Sequence, residues 1–215
     1  INSDGSVPEM CGNGIRCAAL HLARRAGASS LEVSIDTLTG LHACLVVDCS
    51  GSASVAVQMA PPSLVPSDLP LSAASPWRDR ALETSAGTVQ LTGVSMGNPH
   101  AVTFDDVGDA RFEIGPAIQA DRHFPEGVNV GFVSELDGAS MRLDVLERGA
   151  GWTQACGTGA CAAAVAAVET ARANRGEALR VHLPGGTLEV TVGDPDDSVL
   201  MQGPARFVFQ GELPL

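Results

Sequence analysis

Two cysteines stand in the same short context, Cys11-Gly12-Asn13-Gly14 and Cys156-Gly157-Thr158-Gly159. Each opens an alanine-rich apolar stretch that reads as a helix, so each thiol falls at a helix start. That end of a helix carries about half a positive charge and several unpaired backbone N–H groups. A thiol placed there has its thiolate favoured. The glycines let the backbone approach a ligand closely, and the free N–H groups can hold a carboxylate. One such site suits a nucleophilic cysteine. Two suit a pair of bases facing one carbon, taking a proton from one side and returning it on the other. That chemistry is racemisation or epimerisation, and it needs no cofactor.

Cys17, Cys44, Cys49 and Cys161 read as small buried hydrophobes. No CxxC spacing occurs among the six cysteines, which fit reduced thiols of a cytoplasmic protein rather than a disulfide framework. No convergent His, Cys and carboxylate set has metal-ligand spacing, so no metal is expected. His21, His42, His123 and His182 read as structural.

Composition narrows the chemistry further. All 13 basic residues are Arg, against 25 acidic ones, for a net charge of −12 and no basic run. Nucleic acid and acidic membrane surfaces are therefore unexpected partners. Without Lys these 215 residues form no pyridoxal-phosphate Schiff base and no GxxxxGK[ST] phosphate loop. The longest apolar runs, such as Ala160–Val168, are too short to span a bilayer.

The elements that position the thiols are themselves repeated. Both helices stop near a glycine, Gly27 and Gly176, and each is followed by a strand pair. The first pair is Leu31–Ile35 with His42–Val47, the second Leu179–Leu183 with Thr187–Val192. Strand-like stretches at Thr88–Val94, His100–Phe104, Val128–Val133 and Met141–Leu146 lead into the second cysteine. The chain thus reads as two related halves. Residues 1–85 form the first and 86–204 the second, with 205–215 a strand returning to the first. The Pro-, Ser- and Ala-rich segment 60–85 reads as an irregular link. Only ten residues precede Cys11, whereas 68 separate Thr88 from Cys156, so the first half is expected to lack its opening strands.

Four ordered motifs resemble those of diaminopimelate epimerases. Asn2-Ser3-Asp4-Gly5-Ser6 with Met10–Cys17 resembles the family's first active-site motif. Glu147-Arg148-Gly149-Ala150-Gly151 with Ala155–Gly159 resembles the second. Gly97-Asn98-Pro99-His100 and Gly127-Val128-Asn129-Val130 resemble two further signatures lying between them. Read singly, the asparagines are turn formers, His100 a core histidine and Glu147-Arg148 a surface ion pair. Their order beside two C-G-x-G helices is what raises them.

The resemblance implies an α/β (α+β) fold of two pseudo-symmetric domains, each a mixed barrel-like β-sheet around a central helix. It implies that Cys11 and Cys156 are the acid and base, and that no cofactor is used. Gly12, Asn13, Gly157 and Thr158 would cradle the α-carboxylate at the reacting centre. Asn2, Asn98, Asn129, Glu147 and Arg148 would bind the distal end of the substrate, with His100 and Glu147 tuning the thiols. The implied reaction interconverts LL- and meso-diaminopimelate, on the route to lysine and peptidoglycan, in a cytoplasmic homodimer. The alternatives left open are a proline- or hydroxyproline-type racemase-epimerase and a truncated, non-catalytic ligand-binding protein. A redox protein using the facing thiols is a weaker option. The family's Gly-Asn-Asp-Phe segment has no counterpart here, which leaves the activity of this chain open.

Overall fold

The structure is a computed structural model that describes residues 11–49, 52–195 and 197–212. Among these residues the α-helices are α1 (Gly12–Arg25), α2 (Arg111–Gln119) and α3 (Gly157–Glu169). The strands of the first half are β1 (Ser30–Thr37), β2 (Gly40–Cys49) and β3 (Ser52–Gln58). There follow β4 (Arg80–Thr84), β5 (Gly87–Ser95), β6 (Pro99–Thr103), β7 (Asn129–Ser134), β8 (Ser140–Glu147) and β9 (Gly151–Thr153). The chain closes with β10 (Ala178–Leu183), β11 (Gly186–Val192) and β12 (Val199–Ala205).

α1 and α3 form where the sequence places alanine and other small apolar residues after a cysteine N-cap. α3 is enclosed on nearly all sides, with every residue from Gly157 to Ala167 buried. Strands β5 to β8 and β10 to β12 wrap it, so its Ala and Val side chains form the centre of the larger core. α1 packs chiefly on β1, β2, β3 and β12, leaving Cys17, Ala18, His21 and Leu22 exposed. The two helices therefore share a cap and a following hairpin but not an equally complete jacket.

Both helices end in the same pair of hydrogen bonds. In α1 the Gly27 and Ala28 N–H groups donate to Arg24 and Ala23, and Gly27 takes the left-handed conformation, φ +65°. α3 ends in the same way with Ala171 and Arg172 donating to Val168 and Ala167. Here the left-handed position falls on Ala171, φ +57°, not on Gly176 as expected from sequence. The Thr170 hydroxyl donates to the Ala166 carbonyl and closes the last turn early. An alanine Cβ is strained in that conformation, so Ala171→Gly is expected to stabilise the chain by about 0.5–1 kcal/mol. Urea midpoints of the two proteins check this.

The duplicated unit is a helix followed by three antiparallel strands: α1-β1-β2-β3 and α3-β10-β11-β12. The third strands of the two units pair with each other, antiparallel, from Leu200↔Gln58 to Ala205↔Ala53. That pairing places a local twofold between the units and makes one continuous sheet, in the order β1-β2-β3-β12-β11-β10-β8-β7-β6-β5-β4. The sheet is mixed, with parallel pairing at β6/β7 and β8/β10.

Two expected features are placed differently. Residues 206–212 form no strand; the strand that meets the first half is Val199–Ala205. Its alternating buried and exposed pattern ends at Ala205, and Arg206–Glu212 are exposed without interruption. Within the segment 60–85, a 3-10 turn at Pro66–Asp68 and irregular chain give way to β4 at Arg80. Leu69, Leu71, Trp77 and Leu82 of that segment are buried in a second core with α2, Val130 and Phe132.

Candidate active site

The two C-G-x-G turns meet end to end. Cys11 caps α1 with φ −125° and ψ 103°, and Cys156 caps α3 with φ −130° and ψ 109°. In each turn the sulfur accepts a hydrogen bond of 3.3 Å, from the Gly14 N–H and the Gly159 N–H respectively. Gly12 and Gly157 touch across the junction. A Cβ built on Gly157 would lie 3.0 Å from the Gly12 Cα, and one on Gly12 would lie 3.1 Å from the Gly157 Cα. Met201 on β12 lies against both. The Asn13 Nδ2 donates to the Ala155 carbonyl at 3.2 Å, tying the first turn of α1 to the residue before Cys156.

The expected residues around Cys156 are joined in one network. Thr158 Oγ1 lies 3.6 Å from the Cys156 sulfur and accepts from Asn98 Nδ2 at 3.4 Å. Asn98 Oδ1 in turn accepts from His100 Nε2 at 3.0 Å. Asn129, at the start of β7, donates to the Pro99 carbonyl at 3.0 Å and accepts from the Arg148 backbone N–H at 2.8 Å. Parallel β6/β7 pairing sets His100 opposite Asn129. The Arg148 guanidinium is exposed and donates to the Glu126 carbonyl. Glu147 accepts from Thr153 at 2.5 Å. Asn2 lies outside the described residues.

Helix ends favour thiolates, but burial opposes them, and at Cys156 burial wins. Its thiol, 6% exposed, is pushed up to about 12 by burial first and by the Glu147 carboxylate second. The Thr158 hydroxyl and the Gly159 N–H act the other way without reversing it. The helix start alone therefore does not set this thiol, because its burial acts against the thiolate that the turn favours. Cys11, with the same cap, is exposed. The site thus offers one enclosed thiol and one open to solvent.

His100 is fully buried, and burial, followed by the charge of Arg148, pushes its pKa down to about 3. Its ring is neutral at working pH and donates to Asn98 through Nε2. The unfolded chain takes up this proton near 6.5 and the folded chain only near 3. Folding stability is therefore lost as pH falls from about 6.5 towards 3. His100→Gln is expected to lose less stability between pH 7 and pH 4 than the parent, as read from urea midpoints. An equal loss in both proteins would mean that the imidazole is not held neutral.

Thr153, Met201 and Arg16 belong to the site but were not foreseen. Thr153 and Met201 lie in segments with no motif of their own. Arg16 sits inside Cys11–Cys17, and on a helix an arginine reads as surface. Among the described residues no group of three or more His, Cys, Asp or Glu side chains could hold a metal ion. A cleft of about 830 Å³ between Phe104, Leu136 and Arg172 contains no thiol. Its Arg172 is already paired with Asp79 at 2.7 Å. Among the described residues no helix is long and apolar enough to cross a membrane.

Cysteine-capped helices meeting within a duplicated α/β sheet define a class, and solved structures share its fold. A probable proline racemase from Agrobacterium radiobacter K84 superposes with a TM-score of 0.69 at 16% identity, covering 96% of this chain and 68% of that one. A hydroxyproline epimerase from Agrobacterium vitis gives 0.66 at 15% identity, covering 93% and 66%. Within this class the chain belongs to the diaminopimelate epimerase family. The model of that family matches residues 92–208. Diaminopimelate epimerase of Pseudomonas syringae pv. tomato is 41% identical over 217 aligned positions, covering all of this chain and 77% of that protein. The enzyme of the same name from Moorella thermoacetica is 43% identical, covering 100% of this chain and 78% of its own length. The chain is accordingly an enzyme of the amino-acid epimerase class.

Proposed function

We propose that the chain interconverts LL- and meso-diaminopimelate without a cofactor, using Cys11 and Cys156 as a two-thiol acid–base pair. The observation that carries this reading is the meeting of two near-identical cysteine N-caps across Gly12 and Gly157. A substrate α-carbon between the sulfurs would lose its proton to one and regain it from the other. One thiol would act as the acid and the other as the base, and the stereoisomer bound would decide which is which. N–H groups of Gly12, Asn13, Gly157 and Thr158 would hold the α-carboxylate. The positive ends of two opposed helices would favour the negative charge that develops as the proton leaves.

Asn98, Asn129 and Arg148 would bind the distal amino-acid head, Arg148 gripping its carboxylate with a planar fork. Asn2 would complete that contact. Glu147 and His100 would tune the site, Glu147 by raising the Cys156 thiol and His100 by orienting Asn98. Halves bounded at 1–85 and 86–204 would close on the substrate between them. The setting we propose is a cytoplasmic homodimer supplying lysine and peptidoglycan synthesis. Its basis is the family.

The likeness to proline racemase and hydroxyproline epimerase favours one second reading, a cyclic amino acid as substrate. Proline has no distal head, so Arg148 separates the two. Incubation in D2O with LL-diaminopimelate, followed by NMR, is expected to give deuterium at the inverted α-carbon, with proline competing weakly. Turnover of proline in preference would replace the substrate. Binding of diaminopimelate without deuterium incorporation by a folded chain would mean that it binds ligand only.

A further inference from the structure

Arg16 lies one turn beyond Gly12 and is only 7% exposed. Its guanidinium folds back along α1. Nη1 donates to the Gly12 carbonyl at 3.0 Å and Nη2 to Asn13 Oδ1 at 2.9 Å. Nε donates to the Pro204 carbonyl at 3.4 Å, and the Met201 sulfur lies 3.9 Å from Nη1. Gly203 on β12 leaves the room: a Cβ there would stand 3.4 Å from the Arg16 Nε and would also strike Leu188.

Two features of this arrangement are unusual for a structural arginine. Arg16 takes part in none of the ion pairs among the described residues, although it is buried beside the positive ends of two helices. A buried cation is costly without an anion nearby. Burial lowers its pKa, and the groups that oppose this lowering are the thiols of Cys17, Cys11 and Cys161. Its bonds also reach both halves of the site. Through the Gly12 carbonyl it holds the turn that Cys11 caps. Through Asn13, whose amide donates to the Ala155 carbonyl, it holds the residue before Cys156.

We propose that Arg16 is a positioning residue for the two-thiol reaction: its forked guanidinium locks the turn that carries Cys11 against β12 and the Cys156 turn. This rests on the site reading given above. The fork can be tested apart from the charge, because a lysine keeps the charge but cannot reproduce three planar, diverging bonds.

The test uses the whole chain and the variants Arg16→Met and Arg16→Lys. Three quantities are read: kcat and KM for diaminopimelate, the rate of iodoacetamide alkylation at Cys11 at one fixed pH by peptide mass spectrometry, and the urea midpoint. Arg16→Met is expected to lower kcat about a hundredfold, the scale set by small misplacements of reacting groups, with KM changed far less. Its Cys11 alkylation rate should change several-fold, because the turn that carries the sulfur is no longer held. Arg16→Lys, which lacks the fork, should restore neither kcat nor the alkylation rate. Unchanged kcat in a folded Arg16→Met chain would overturn the proposal, as would unchanged alkylation at Cys11. Should Arg16→Met fail to fold, Arg16→Lys decides, since full kcat in that variant would remove any role for the fork. Should the parent chain show no epimerisation, the site reading fails. The alkylation comparison still tests the hold of Arg16 on the Cys11 turn.

Discussion

Removal of either thiol, by Cys11→Ala or Cys156→Ala, is expected to lower stereoinversion at least a thousandfold and to leave the chain folded. A positioned acid or base contributes about 10²–10⁴-fold, and inversion at one carbon needs one on each side. With a single thiol left, a proton removed from one face can return only to that face. The α-hydrogen can then exchange with D2O at most for the isomer facing that thiol, and configuration is retained. Cys11 is exposed, so its loss leaves the core intact. Cys156 is buried but small, and an alanine in its place removes only the sulfur. Chiral chromatography after incubation in D2O distinguishes inversion from exchange. Inversion at the parent rate in either variant would overturn the two-thiol mechanism. Serine at 156 should not rescue, because a buried hydroxyl is a far weaker acid than the thiol it replaces.

The second large effect is expected at the glycine pair. Gly157→Ala would place a Cβ 3.0 Å from the Gly12 Cα and 3.2 Å from the Met201 sulfur. The methionine can move, but the backbone of Gly12 cannot yield without shifting α1. Overpacking of this kind costs about 1–3 kcal/mol. Its effect on activity is larger, because the sulfurs sit on the turns being forced apart, and a displacement near 1 Å costs about a hundredfold in rate. Activity should therefore fall further than stability. The double variant Gly157→Ala with Met201→Ala separates the two contacts. It should recover little activity if the glycine backbones set the spacing, and recovery to the parent rate would assign the effect to Met201 instead.

The features that were legible from the sequence are those in which a local signal and the tertiary structure agree. The duplicated Cys-Gly-x-Gly turn located both helix starts, and β-branched alternation located β1, β10 and β11. β3, Ser-Ala-Ser-Val-Ala-Val-Gln, has too many small residues to announce a strand, and it forms because β2 and β12 flank it. α2 carries Gly115-Pro116 in its interior, an ordinary breaker signal. It persists because Ile114 and Ile118 are buried and Gly115 admits Leu146 and Phe132. At the site, Asn98, His100 and Asn129 were found through ordered motifs, and the parallel pairing of β6 with β7 brings them together. The burial of Cys156 was not legible, because it depends on strands distant in sequence. Arg16 escaped notice for the same reason, since its partners Met201 and Pro204 lie more than 180 positions away.

The antiparallel seam between β3 and β12 bears on how the enzyme comes into being during synthesis. Val55 pairs with Gly203, so the first half waits for a strand far along the chain before its sheet is flanked. Closing so long a loop is entropically unfavourable and kinetically late. Met201, which supports both glycine turns, arrives on the same strand. Translation therefore delivers the two thiols to each other only after β12 has been made. A ribosome-stalled chain that stops before Val199 would carry both cysteine turns and yet lack the support that seats them together.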